Sequence, residues 1–386
     1  MKTNKIQNLP INWTDGVKLS EKHFFKQYYN VIETIKSYNT SNQKNFDFGI
    51  LDPIDTNISA LELELSSDTG NAMAVSLKSC NAITKNGYKI LFYKGLYGED
   101  YTPKKIINFS EAEDTSIHNY YVVVSISPFE LIPVGHPDPE VVPLHHPNTL
   151  PKISLDVVPV NQINTHFIEG NFIVVGEIKS EQGIFSLNNS YIPPVKKIAY
   201  NDALDKFRVD LIQVLIRMRK NSILIIKKNR NSKRINRLAE NTFELCNDFN
   251  LFYGQSIYYL KEVISEESPI FLAKQVSILA NQFSTSLSIM DEREREELLQ
   301  YYFEWTDVKP SNFNAKIEDV LNNRYSHINI IETVEVLGEF ISIIDRLFNK
   351  MSALEYIGQR KDNIVISEDS VIKKDKPGKS SWSIFD

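Results

Sequence analysis

The chain has little of what disulfide-framed, membrane-embedded or nucleotide-binding proteins rely on. Cysteine is nearly absent: only Cys80 and Cys246 occur in 386 residues. They lie far apart and without metal-type spacing, which excludes a disulfide framework and fits a reducing compartment. Glycine is scarce, at 14 residues, and nothing matches a phosphate-cradling loop or a dinucleotide fingerprint. No apolar run approaches the roughly 20 residues of a membrane span. Residues 1–10 are polar and lack the apolar core of a signal peptide, so a cytoplasmic protein is expected. There is no basic surplus either. A net charge of −6 argues against nucleic acid as the main partner, because binding phosphate needs a basic face. No Gly-x-Ser-x-Gly or Cys-His pairing is recognisable, so neither an enzyme nor a cofactor is expected.

What is present is an ordinary globular balance, 42% hydrophobic and 24% charged, in a chain too long for one comfortable core. The most informative stretch is Ile11 to Phe24. Trp13 and the turn residue Gly16 precede Ser20, which can cap a helix whose dipole favours Glu21 at its start. Behind it, Phe24, Tyr28, Val31, Ile35 and Tyr38 recur at alternating four- and three-residue steps. That spacing makes one helical stripe, a surface built to be covered.

Residues 59–65 alternate apolar and polar with period two, as a half-buried strand should, and Met73 to Ser79 does so less strictly. Residues 120–126 and 171–178 are apolar on both faces, which suits central strands. Asn86-Gly87 is a hairpin signal. Phe46 to about Ser186 therefore reads as a β-rich domain, expected to be a sandwich. Within it, the dense prolines of residues 128–159 predict a long ordered loop that rides over the surface or clasps a neighbour.

From Tyr200 the period changes to about 3.5. Predicted helices start near Tyr200, run from about Asn231 to Ile264 and from Ile270 to Met290 behind Ser268-Pro269, and end with Ile330 to Leu354. Their narrow seams predict an extended bundle whose apolar rows are covered by neighbouring chains. Asp291 to Glu297 reads as a surface helix laced with ion pairs. The basic run around Lys227 and Lys228 reads as a solvated turn. The expected division is an α+β chain: residues 1–45 as N-terminal motif and first helix, 46–195 as β-rich shoulder, 196–355 as helical neck and 356–386 as polar tail. That tail ends in Trp382 and Phe385, which suit a short docking peptide. His136, His145, His146 and His166 gather in or beside the proline-rich segment. An adjacent pair such as His145-His146 seldom points both rings at one ion, so no metal site is assigned.

The N-terminal stretch resembles the opening of the TssK family of type VI secretion baseplate subunits. Trp13, Asp15, Gly16, Leu19, His23 and Phe24 fall on that family's pattern without a gap, while Lys18 and Glu21-Lys22 depart from it. Ile192-Pro193-Pro194 is similar to the junction that precedes the helical part in that family. The resemblance implies a β-shoulder that docks on the wedge subunits TssF and TssG, a helical neck that forms a homotrimer, and a C-terminal end that faces an envelope component. It makes Trp13, Asp15, Gly16, Leu19, His23, Phe24, Trp382 and Phe385 the candidate protein-binding residues. Family members continue into a β-containing head. Here residues 356–386 are all that follow the last helix, so a different membrane-side anchor is expected. A phage-like tail or receptor-binding structural protein would use the same shoulder and neck, but would need a carbohydrate-binding tip.

Overall fold

The computed structural model describes residues 7–68, 72–108, 119–163, 170–181, 184–230 and 236–360. A long helix, α1 (Glu21–Asn42), precedes two antiparallel sheets. The first contains β1 (Gly49–Ile50), β2 (Leu61–Asp68), β3 (Ala72–Ile83), β4 (Lys89–Tyr93) and β5 (Lys104–Asn108). Its centre is β3, whose length lets it pair with β2 and β1 on one edge and with β5 and β4 on the other. The second sheet has the order β7-β6-β8-β9, from β6 (Asn119–Val134), β7 (Asn148–Pro159), β8 (Phe172–Glu181) and β9 (Ile184–Leu187).

The alternation read in β2 places Leu61, Leu63 and Leu65 against the core and the intervening glutamates outside. Val122 and Val124 of β6 enter the main core, while Tyr121 and Val123 enter a second cluster on the opposite face. Strands apolar on both faces are thus covered on both. Between the sheets, the Tyr97 hydroxyl donates to the Pro151 carbonyl at 2.7 Å and the Tyr101 hydroxyl to that of Ile153 at 2.6 Å. These bonds satisfy outward carbonyls of the edge strand β7 and blunt it against further pairing.

The proline-rich segment is not one loop. Strand β6 continues through Pro128 and Pro133, and β7 contains Pro151 and Pro159, so the connection shrinks to residues 135–147. Proline is tolerated there because β8 leaves β6 after Ser125, and a bulge between Ser127 and Leu131 absorbs Pro128. The two strands project together as an arm. At its tip Val142 is 91% exposed.

Residues 192–194 close the β-region against its start. Gly49, at φ +125°, faces the Pro194 carbonyl so closely that a Cβ would come within 2.3 Å of its oxygen. Only glycine fits such a contact in that conformation. Ile50 N–H then donates to Pro194 at 2.7 Å.

The helical half comprises α2 (Asp202–Arg230), α3 (Arg237–Glu262), α4 (Ile270–Ile289), α5 (Glu292–Thr306), α6 (Pro310–Asn322) and α7 (Ile330–Ala353). Helix α3 is shorter than the sequence suggested. Asn236 caps it by accepting from Ala239 N–H at 2.9 Å, leaving a rod of about 39 Å at 1.5 Å per residue. The Ser268 hydroxyl does not cap α4; it donates to the Phe46 carbonyl at 2.9 Å and ties the helices to the β-region. Lys228 is no solvated turn residue, since its ammonium donates to the Ser352 and Leu354 carbonyls at the end of α7. The charged run at α5 does form ion pairs, Arg237–Glu294 and Arg293–Glu297.

The largest correction concerns the helical seams. Phe249, Leu337, Ile341, Ile344, Phe348 and Met351 are buried within this chain alone. Phe348 stands edge-on to Phe249 at 5.3 Å and near Phe283 at 6.5 Å. The covering expected from neighbouring chains comes from α4, α5 and α6 of the same chain. A single hydrophobic cluster runs from the sheets through these helices.

Candidate functional site

Helix α1 is 22 residues long and buries none of them, yet it is held on two of its faces. Toward the sheets, the Tyr29 ring stands edge-on to Phe129 at 5.1 Å and its hydroxyl donates to the Phe129 carbonyl at 3.3 Å. Further along, Lys36 lies over the Tyr88 ring at 5.2 Å, and Asn39 and Gln43 donate to the Gly87 and Thr84 carbonyls at 2.9 and 3.1 Å. The Asn86-Gly87 hairpin makes this approach possible. Gly87 sits at φ +80°, and a Cβ there would fall 2.9 Å from Asn39 Cβ.

On the second face an extended run, residues 7–12, lies antiparallel along the helix. The Glu33 carboxylate accepts from Gln7 N–H at 3.0 Å and from Asn8 N–H at 2.8 Å, and Asn30 donates to the Asn8 carbonyl at 2.8 Å. A turn in which Val17 N–H donates to the Thr14 carbonyl at 3.2 Å, with Gly16 at φ +86°, then feeds the helix. The Ser20 hydroxyl makes no cap bond; it lies 3.3 Å from His23 Nδ1 instead. His23 in turn stands edge-on to Trp13, 5.8 Å between ring centres.

The third face carries the stripe read from the sequence, and nothing covers it among the described residues. Its exposure runs from 39% at Tyr28 to 71% at Tyr38, with Phe24, Val31 and Ile35 between these values. Partial burial, with Tyr29 beside it, raises the pKa of the Tyr28 phenol and keeps it neutral. Trp13 and Leu19 are exposed at the same end of the helix as Phe24. At about 100° per residue the three faces are set roughly a third of a turn apart. Of the sequence candidates, Trp13 and His23 are brought together by the turn that contains Gly16, and Phe24 is exposed on the first turn of the helix. Asp15 and Leu19 are exposed beside them. Trp382 and Phe385 lie outside the described residues, as does the polar tail from residue 361.

Sequence reasoning missed Glu33, Asn30 and Gln27. Their three-residue spacing is a polar row that signals a second strip of chain along the helix. The histidine segment gathers no site. His145 Nδ1 bonds the Pro143 carbonyl at 2.7 Å and His146 Nδ1 that of Gly135 at 2.6 Å, which orders the loop internally. His166 lies outside the described residues, among which no group of three His, Cys, Asp or Glu is placed to hold a metal. No described helix is long and apolar enough to cross a membrane.

The fold is thus a two-sheet shoulder joined to a helical half, with one helix held on two faces and, among the described residues, bare on the third. No family profile matches the sequence, and no curated protein is similar to it. Among solved structures, the fold is that of TssK. The crystal structure of TssK aligns at TM-score 0.51 and 15% identity, over 88% of this chain and 69% of that one. A chain of the baseplate complex from the type VI secretion system aligns at TM-score 0.50 and 14% identity, over 89% of this chain and all of that one.

Proposed function

We propose that the chain is a TssK-like structural subunit of a bacterial type VI secretion baseplate, working in the cytoplasm at the inner face of the envelope. In this reading it assembles as a homotrimer. The N-terminal segment and α1 dock on the wedge subunits TssF and TssG, and the C-terminal end meets an envelope component. The observation that carries the reading is the bare third face of α1. A rigid helix that spends about six turns on the surface with an unbroken apolar row is costly unless that row is covered. With about 150–250 Å² per aromatic side chain, the stripe, Trp13 and Leu19 leave on the order of 500 Å² uncovered. That is a large fraction of the roughly 800 Å² that each partner contributes to a stable interface.

Because Trp13 and Phe24 are 49% and 61% exposed, Trp13→Ala and Phe24→Ala are expected to leave the fold and its unfolding midpoint unchanged. Each removes about 1.5–3 kcal/mol of burial from the interface, a loss of roughly ten- to a hundredfold in wedge affinity at 1.4 kcal/mol per decade. Pull-down of wedge subunits by the two variants measures this. Undiminished recovery in both would remove the motif from the interface.

A further inference from the structure

None of residues 7–20 is buried, so burial does little to hold this segment on the molecule. What holds it is a row of polar side chains on α1. The Glu33 carboxylate accepts from Gln7 N–H and Asn8 N–H at Oε2, and from the Asn8 side-chain amide at Oε1, 3.1 Å away. Asn30 Nδ2 donates to the Asn8 carbonyl, and Ile11 N–H donates to Gln27 Oε1 at 3.5 Å. Bonds to an ionised acceptor are about twice as strong as neutral ones, which makes Glu33 the main anchor. The spacing matches on both sides. The step from Gln27 to Glu33 rises about 9 Å along the helix, and extended chain from Asn8 to Ile11 spans about 10 Å.

The row is also oblique. At about 100° per residue, Glu33 lies about 180° around α1 from the centre of the apolar stripe, Asn30 about 120° and Gln27 about 60°. The segment therefore starts on the far side of the helix and climbs toward the stripe as the chain runs from Gln7 to Ile11. Trp13 follows directly, and the turn at Gly16 sets it edge-on to His23 at 5.8 Å.

We propose that Glu33 is a positioning residue for docking: by anchoring residues 7–12 across α1, it presents Trp13 beside the apolar stripe before any partner arrives. The proposal rests on the docking role given to this face above, and adds what keeps its two parts, segment and helix, in register. A segment held in advance need not be ordered at the moment of binding, which would cost conformational entropy for each residue fixed. Glu33 is half-buried on a face other than the stripe. It acts through Trp13, not through a contact of its own with the partner.

Hydrogen exchange of the intact free chain and affinity for the wedge subunits, measured on the same variants, test this. Glu33→Ala should speed exchange of residues 7–12 by about tenfold, with exchange in the helical half and the unfolding midpoint unchanged. Its affinity for the wedge subunits should fall about tenfold. Glu33→Gln, which keeps an acceptor oxygen, should recover most of that loss. In a Trp13→Ala background the Glu33→Ala loss should shrink below about threefold, because the side chain it positions is gone. Unchanged exchange in Glu33→Ala would mean that the carboxylate does not hold the segment. If Trp13→Ala weakens wedge binding but Glu33→Ala does not, the docking reading stands and the positioning role fails. An equal Glu33→Ala loss with and without Trp13 would make Glu33 a direct contact and overturn the proposal as well. If neither substitution alters wedge affinity, the docking reading fails and this proposal with it.

Discussion

Phe348→Ala is expected to cost about 3–5 kcal/mol of stability, the range for truncating a large aromatic in a packed core. Phe348 is fully buried on α7, edge-on to Phe249 of α3 and close to Phe283 of α4, so its ring joins three helices at one point. Its neighbours are themselves large and buried, and cannot collapse into the space it leaves. Set against the roughly 5–15 kcal/mol that holds a typical native domain, the loss removes a substantial part of the total. Chemical denaturation followed by circular dichroism measures it. The contrasting substitution Val142→Ala, at the exposed tip of the arm, should stay within about 0.5 kcal/mol of the unaltered protein. A Phe348→Ala midpoint as close as that would mean that the seams are not filled within the chain as the structure has them.

Acid should weaken the junction between the sheets and the helices before it affects most of the molecule. His327, buried between α6 and α7, uses both ring nitrogens: the Tyr325 hydroxyl donates to Nδ1 at 2.6 Å, and Nε2–H donates to the Phe48 carbonyl at 2.8 Å. The Phe48 ring stands edge-on to it at 4.6 Å. Burial, only partly offset by the Phe48 carbonyl and Asp47, lowers its pKa from 6.5 to about 4. The folded state therefore holds the proton less tightly than the unfolded chain. Above pH 6.5 both states are neutral and this contribution to stability is fully present. As pH falls from 6.5 toward 4 the unfolded chain protonates first and stability drops, by up to about 1.4 kcal/mol per pH unit and about 3 kcal/mol in all. The interval from pH 6.5 to 5 reads this most cleanly, because carboxylates begin to titrate below it. His327→Gln should be less stable at pH 7 but lose this part of the slope. Equal slopes in the two proteins would mean that His327 carries no such linkage.

The sequence was legible where a single period governed a segment. The alternation of β2, the two-faced apolar runs of β6 and β8, and the four-three row of α7 each correspond to the observed element. The stripe of α1 was equally plain, because no other part of the chain interrupts it. Reading failed where tertiary context overrides a local rule. Pro133 and Pro151 look like strand breakers, yet they sit where a strand needs no amide on its open side. Helix α6 escaped notice because it is short, and α5 was read only as a charged surface helix over residues 291–297, which left its buried second half, Leu298 to Tyr302, unread. Yet Phe313, Ile317 and Val320 keep helical spacing behind Pro310, a signal that was available. With α6 overlooked and α5 taken for a surface helix, the buried seams seemed to want partners they do not need. His327 carried no motif at all: its role exists only because distant segments bring Tyr325 and Phe48 to either side of one ring.

Solvent footprinting of α1 in the native assembly, with the free chain as reference, tests the account most directly. In the free chain Phe24, Tyr28 and Tyr38 should be labelled readily. Once the chain is bound in its complex, labelling of all three should fall severalfold while the arm residue Val142 serves as an independent reading. Unchanged labelling of the stripe in the assembled state would contradict the claim that this helix is held by a partner.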